Sequence, residues 1–350
     1  MRLPVRTEAV VLATAVGAGV LLARRRSAAL GTPRQPERPA PTPPPLPPGR
    51  IRTVPAEDGV DLSVVEYGAR DGATGTVVLA HGYVQSGRLW SGQVRDLLDA
   101  RSDLKVVTYD HRGHGRSGRT PRERATIAQL GRDLAAVVEA VAPSGPVVLG
   151  GHSMGGMTML ALAEERPELF GERIVGAAFV GTSAGALAEV TYGLPRPVAR
   201  LVRRLLPVLN ELAVKAELAG RPRPVGRLDA RLIFARGADP ALVRETLDIH
   251  RECSAETVAA FLATFSDHDR RTALEALAHV PGIVVVGDRD LLCPPAHSSV
   301  IAAALPRSEL TILPGAGHMV HLERRTEVSR LLRDLVDRAL PARPAPRSPG

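Results

Sequence analysis

Apolar residues recur along this chain in two alternating rhythms. Short runs rich in β-branched residues stand at Leu62–Tyr67, Thr76–Ala80, Lys105–Asp110, Pro146–Gly150, Ile174–Val180, Ile283–Val286 and Leu310–Leu313. Their length and composition are those of strands. Between them lie amphipathic stretches with a helical period: Leu89–Asp99, Ile127–Val141 and Val320–Ala339. Strands that alternate with helices predict a mostly parallel sheet with helices on both faces, an α/β fold. At its start, Arg50–Val54 and Val60–Tyr67 flank Ala56-Glu57-Asp58-Gly59, a hairpin turn by its Asp-Gly pair. The sheet is therefore expected to begin antiparallel and become parallel.

One interval breaks the rhythm. From Ser183 to about His279 no strand pattern recurs, and Pro195, Pro197, Pro222 and Pro224 separate helical stretches. An insertion of this size between two core strands would lie over their carboxyl ends, where open α/β sheets bind ligands. The expected organisation is a core over 50–182 and 280–340 with a helical cap over 183–279. Within the cap, Val198–Leu209 is apolar on one face and arginine-rich on another.

The termini read differently. Ala9–Ala23 is an uncharged apolar run between Arg2 and Arg6 on one side and Arg24–Arg26 on the other. Three arginines directly after the run disfavour a cleaved signal and favour an uncleaved membrane anchor with the downstream chain kept cytoplasmic. Export through a cleaved signal is the alternative. Residues 1–31 are thus expected to tether the protein to a membrane, 32–49 to form an extended proline-rich spacer, and 341–350 to be a disordered tail. The 350 residues suffice for a large buried core. Their net charge of +8 resides in arginine runs without interleaved aromatics or a nucleic-acid motif, which argues against a nucleic-acid partner. Two cysteines, Cys253 and Cys293, make no disulfide framework.

The chemistry is concentrated at Gly151-His152-Ser153-Met154-Gly155, where a strand run turns at once into a helical one. A sharp turn of this kind strains the backbone at the serine and brings its neighbours close, so only small residues fit two positions either side. It exposes the Ser153 hydroxyl at a helix N-terminus, where the Met154 N–H can hold an oxyanion. A serine hydroxyl needs a base. His318 follows flexible glycines in Gly315-Ala316-Gly317 and precedes the last helix, so its ring can reach over the sheet edge. His321, a turn later, reads as structural. An acid to orient the base lies in the loop after the strand at 283–286, where Asp288 and Asp290 compete. The second oxyanion donor is expected from His81-Gly82-Tyr83-Val84, with the Tyr83 N–H the best placed. Gly113–Gly118 matches the dinucleotide pattern of spaced glycines, but no helix opens directly behind it to hold a pyrophosphate. His111 and His114 lack the further ligands of a metal site.

These residues carry a resemblance. HGY (81–83), YDHRGHGRSG (109–118), GHSMGG (151–156), GDRDLLCP (287–294) and GAGHMVHLE (315–323), in this order, resemble the serine branch of the α/β-hydrolase family over about 51–340. The resemblance implies an eight-stranded sheet, a cap between strands six and seven, and no metal or organic cofactor. It selects Asp290 over Asp288 by its spacing from Gly287 and Pro294. Dehalogenases and epoxide hydrolases of the fold carry an aspartate in place of Ser153 and are disfavoured. GHSMGG and DHRGHGRS are similar to segments of monoacylglycerol lipases and simple carboxylesterases. The expected activity is hydrolysis of a small-molecule carboxylic ester with an apolar group through an acyl-enzyme. Its catalytic residues are Ser153, Asp290 and His318, with Tyr83 and Met154 forming the oxyanion hole. Alternatives on the same fold are a perhydrolase, a carbon–carbon bond hydrolase and a catalytically silent ligand-binding protein.

Overall fold

The computed structural model describes residues 46–70, 72–223 and 225–340. Eight strands form one sheet: β1 (Arg50–Pro55), β2 (Asp61–Gly68), β3 (Gly75–Ala80), β4 (Leu104–Tyr109), β5 (Val147–His152), β6 (Ile174–Val180), β7 (Gly282–Gly287) and β8 (Ser308–Leu313). Their order is β1-β2-β4-β3-β5-β6-β7-β8. The β1–β2 and β2–β4 pairs are antiparallel and the remaining neighbours are parallel, as the hairpin turn and the later alternation predict. The turn itself places Gly59 at φ 82, a conformation that costs a residue without Cβ little.

Strand periodicity divides the core in two. Val78, Ala80, Leu149, Ala177, Phe179 and Val284 face helices α2 (Ile127–Val141) and α3 (Met154–Glu165). Val77, Leu79, Val148, Ala178, Val180, Ile283 and Val285 face α1 (Ser91–Ala100) and the C-terminal helix Arg325–Ala339. Each fully buried side chain of this kind contributes about 1.5–3 kcal/mol. Gly131 lets α2 lie directly on α3, since a Cβ there would come within 2.8 Å of the Ala161 carbonyl carbon. Arg112 is fully buried between Asp133 and Asp58, with bidentate hydrogen bonds of 2.6 Å to the first and 2.8 and 3.0 Å to the second. The pairing matters because truncating one partner of a buried ion pair costs about 3–5 kcal/mol.

Between β6 and β7 the chain contains no strand among the described residues. It forms α4 (Arg196–Leu218), α5 (Arg227–Ile233), α6 (Pro240–Glu252) and α7 (Ala255–Thr264). Three apolar clusters attach these helices to the rest. Phe261 packs with Met154 and Met157, Ile249 and Phe234 pack with Leu89 and Met319, and Leu194 and Val202 pack with Leu291. After β7 follow α8 (Pro295–Ala304) and, after β8, α9 (Arg325–Ala339).

Two expectations need correction. The final helical pattern is not continuous: a short turn over Val320–Glu323 precedes α9, broken at Arg324 (φ −128, ψ 46). There the Arg324 guanidinium donates to the Pro314 carbonyl at 2.6 Å, holding the break against the loop before it. The reading of a membrane-anchored protein with a transmembrane helix is also not upheld. Among the described residues no helix is long and apolar enough to cross a membrane, and Ala9–Ala23, on which that reading rested, lies outside them. The localisation drawn from it, and its exported alternative, are withdrawn with it. The spacer up to residue 45 and the tail 341–350 also lie outside the described residues.

Several histidines are sealed inside this fold. Burial drives the pKa of His81 down to about 4 and those of His114, His250 and His321 down to about 3, so all four are neutral when folded. The unfolded chain takes up those protons near pH 6.5. The stability they contribute is therefore complete above about pH 6.5 and is lost as the pH falls towards 4 and 3, by about 1.4 kcal/mol per pH unit for each histidine. Urea unfolding at pH 7, 6 and 5 should show this decline. In a His321→Leu variant the decline should be shallower by about one proton. Equal stability of the parent protein at pH 7 and pH 5 would refute the assignment.

Candidate active site

The carboxyl ends of β3, β5, β6, β7 and β8 converge on one edge of the sheet, and the loops leaving them carry the residues singled out by the sequence. Ser153 links β5 to α3 at φ 51, ψ −117, a region that a side chain with Cβ enters only under constraint. The constraint is visible around it. A Cβ on Gly151 would lie 2.5 Å from the Gly155 carbonyl carbon, and one on Gly155 would collide with the Ala80 carbonyl. The Ser153 N–H donates to the Val180 carbonyl at 2.9 Å, and its own carbonyl accepts from the Thr182 hydroxyl at 2.7 Å. The elbow is thus clamped from β6 while its hydroxyl is left unbonded: Ser153 Oγ makes no hydrogen bond to any described residue.

Asp290, and not Asp288, meets the histidine. Its Oδ2 lies 2.8 Å from His318 Nδ1, while its Oδ1 accepts the Leu292 and Cys293 N–H groups at 2.8 and 2.9 Å. Both side chains are buried. The two backbone amides fix the carboxylate, and the carboxylate fixes the ring, leaving Nε2 as the free nitrogen. Asp288 instead accepts the Gly315 N–H at 2.7 Å and shapes the loop that delivers His318. Gly181, at φ 53 after β6, stands among these groups; a Cβ there would touch His318 O, Asp290 Oδ2 and the His152 ring at 3.3–3.6 Å. His321 makes no hydrogen bond to any of these groups. Its ring packs between Trp90 and His152, with centroids 4.8 and 4.3 Å away.

The amides of Tyr83 and Met154 donate to no described backbone or side-chain acceptor, which is the state required of oxyanion donors. The Tyr83 loop is held in shape by the positive φ of Val84 (61) and by Gly82 N–H donating to Gln85 Oε1 at 3.0 Å. The Tyr83 hydroxyl donates to Val258 O of α7 at 2.5 Å, and its ring meets Phe265 edge-on. The glycine loop at 113–118 is an internal brace. Asp110 accepts Gly87 N–H and Arg116 N–H, each at 2.8 Å, and behind the loop stands only a three-residue 3-10 turn, Arg122–Arg124, before α2 begins at Ile127. His111 and His114 pack on His81, and no group of three or more potential metal ligands occurs among the described residues.

Two side chains missed by sequence reasoning join the site's three loops. His152 Nε2 lies 2.9 Å from His318 O, and its Nδ1 lies 3.1 Å from Gln85 Oε1. Gln85 Nε2 in turn approaches Met319 sulfur at 3.3 Å. His152 and Gln85 are both buried, so the turn of the oxyanion loop, the elbow and the loop of His318 are bridged where water does not compete. Glu323 adds a further tie, accepting Gly317 N–H and Ala235 N–H at 2.9 Å each. Burial raises the pKa of this carboxyl. The available signal was only that His152 sits inside the serine motif. Nothing in the local pattern points to residue 85 or 323.

Known proteins share both the pattern and the shape. The family described as serine aminopeptidase S33 matches residues 71–325. The chain is 28% identical over 246 residues to a putative carbamate hydrolase RutD of a Caulobacter species, covering 69% of this chain and 83% of that one. It is 27% identical over 256 residues to a monoacylglycerol lipase of Mycolicibacterium smegmatis, covering 71% and 82%. Among solved structures it is similar to an esterase of Exiguobacterium antarcticum (TM-score 0.67, 20% identity, 81% and 98% covered). It is also similar to the enol-lactonase of Burkholderia xenovorans (TM-score 0.64, 24% identity, 81% and 99% covered). Those two likenesses concern the fold. The chain belongs to the serine aminopeptidase S33 family of α/β-hydrolases.

Proposed function

We propose that this chain is a serine hydrolase that cleaves carboxylic esters bearing an apolar group through an acyl-enzyme. The observation that carries the reading is the 2.8 Å contact between Asp290 and His318 Nδ1, together with a serine strained at φ 51 on the elbow that leaves the same edge of the sheet. In this mechanism Ser153 Oγ attacks the ester carbonyl carbon while its proton passes to His318 Nε2. Asp290 keeps the ring in the tautomer that accepts there and stabilises the imidazolium. The carbonyl oxygen takes up the negative charge and lies between the Tyr83 and Met154 amides. As the intermediate collapses, the bond to the alcohol oxygen breaks and His318 gives that oxygen the proton. Water then attacks the acyl carbon by the same route and frees Ser153.

The apolar preference is supported by the wall beside the elbow. Met154, Met157, Phe261 and Cys293 form a buried cluster, with Tyr83, Leu187 and Phe265 packed against it. The inserted segment 183–279 acts as the cap and contributes Leu187, Phe261 and Phe265 to this wall. The names of the lipase and esterase relatives agree with an ester carbonyl as the target, and a carbamate carbonyl would meet the same groups.

Hydrolysis of p-nitrophenyl esters from acetate to palmitate by the full chain tests the reading. We expect turnover that falls by at least about a thousandfold in Ser153→Ala, the size of loss typical of removing such a nucleophile. Turnover equal in both proteins, or absent for every ester, would overturn it. The bridge through His152 gives a second expectation. His152→Ala should lower kcat by about ten- to a hundredfold with KM within twofold, because displacing the His318 loop by a fraction of an ångström affects the transition state more than binding. A kcat within twofold of the parent would deny His152 its positioning role.

A further inference from the structure

The two amides assigned to the oxyanion are held by different parts of the protein. The Met154 N–H stands in the elbow, whose backbone is fixed by the close contacts of Gly151 and Gly155 and by the clamp from Val180 and Thr182. The Tyr83 N–H stands in the loop after β3. There Gly82–Gln85 form a tight turn, closed by the Gln85 N–H donating to the Gly82 carbonyl at 3.3 Å. Tyr83 is its second residue. The third, Val84, has φ 61, a conformation such turns reserve for glycine or asparagine, and Val84 is β-branched. A turn strained in this way keeps its shape only where its surroundings impose it.

The tip of the turn is anchored from outside the core. The Tyr83 hydroxyl donates to the Val258 carbonyl of α7 at 2.5 Å, and its ring meets Phe265 edge-on with centroids 5.1 Å apart. Both partners belong to the inserted segment. Helix α7 is itself held at each end. Its first amide, the Ala255 N–H, donates to Glu217 Oε2 of α4 at 2.7 Å, and at its last residue Thr264 Oγ1 accepts the Ile127 N–H at 3.3 Å. A firm inserted helix therefore grips the side chain of the one oxyanion residue that the elbow does not fix.

We propose that the Tyr83 side chain is a positioning group, through which helix α7 sets the place of the Tyr83 amide, so that the oxyanion hole is complete only with this helix seated. The proposal rests on the reading of Ser153 as the nucleophile of an ester hydrolase. An oxyanion donor works only at hydrogen-bond distance from the charged oxygen. Without the anchor the strain at Val84 is free to relax, and the amide moves with the turn. The loss falls on the transition state, because the carbonyl oxygen carries its full charge only there. The inserted helices then govern the rate of the chemistry as well as the shape of the pocket.

Tyr83→Phe tests this in the full chain, since it keeps the amide and the ring and removes only the hydroxyl. With a p-nitrophenyl ester that the parent cleaves, kcat should fall by about tenfold, a part of the 10²–10³ that removing a donor costs, with KM within about twofold. A trifluoromethyl ketone of the same chain length forms an adduct on Ser153 whose oxyanion lies in the hole. Its inhibition should weaken by the same factor, whereas the pH midpoint of kcat/KM should stay, because the base is untouched. From the other side of the link, Glu217→Ala should also lower kcat, and the double variant should lose no more than Tyr83→Phe alone. A kcat within about twofold of the parent, an unchanged ketone affinity, a shifted midpoint or losses that multiply would each overturn the positioning role and leave the hydrolase reading standing. A parent that cleaves no ester would instead overturn that reading, and the proposal with it.

Discussion

A single backbone conformation organises this molecule. Between β5 and α3 the chain reverses within one residue, and Ser153 takes φ 51 to do so. That conformation is unfavourable for a residue with a side chain, by about 1–3 kcal/mol, and persists only where its surroundings impose it. Here it is imposed by glycines at 151 and 155, whose missing Cβ atoms let the elbow touch the end of β3, and by the clamp from Val180 and Thr182. The parallel sheet supplies the setting: six neighbouring strands, β4-β3-β5-β6-β7-β8, end at the same edge, and the loops leaving them gather there. Everything else at the site is arranged around a point the backbone has already fixed.

Around that point each group is held in place by another. Leu292 and Cys293 amides hold Asp290, Asp290 holds His318, and His152 ties the backbone of His318 to Gln85 and so to Gly82. His152 faces a carbonyl oxygen from each nitrogen, yet burial keeps it neutral with a single proton to give. One of its two contacts is therefore a hydrogen bond and the other is close packing enforced by the fold. The Asp288 carboxylate, which competed with Asp290 in the sequence, serves the same assembly from behind by shaping the Gly315 turn.

The sequence was most legible where chemistry and backbone constraint coincide. Short β-branched runs located the eight strands, and the 3.6-residue period located α1, α2 and the final helical stretch, since both are consequences of which faces must be buried; α8 (Pro295–Ala304) gave no such pattern. Ser153, Asp290 and His318 could be singled out because each sits at a turn that only particular residues can make. The partners that hold them could not, and the reason is physical: Gln85 and Glu323 act through contacts between segments 67 and 88 residues away in sequence. No local periodicity encodes such a contact. The break at Arg324 was invisible for the same cause, because the apolar pattern of Val320–Ala339 continues through it while the Arg324 side chain answers to Pro314.

Glu323 stands outside the catalytic set, yet its two oxygens are divided between two parts of the protein. One holds the amide just before His318, and the other holds Ala235 just past the end of the inserted helix α5. A single part-buried carboxylate thus ties the inserted helices to the loop that carries His318. In the proposed mechanism, a change in the inserted helices at Ala235 is therefore felt at Gly317, next to the residue assigned as the base.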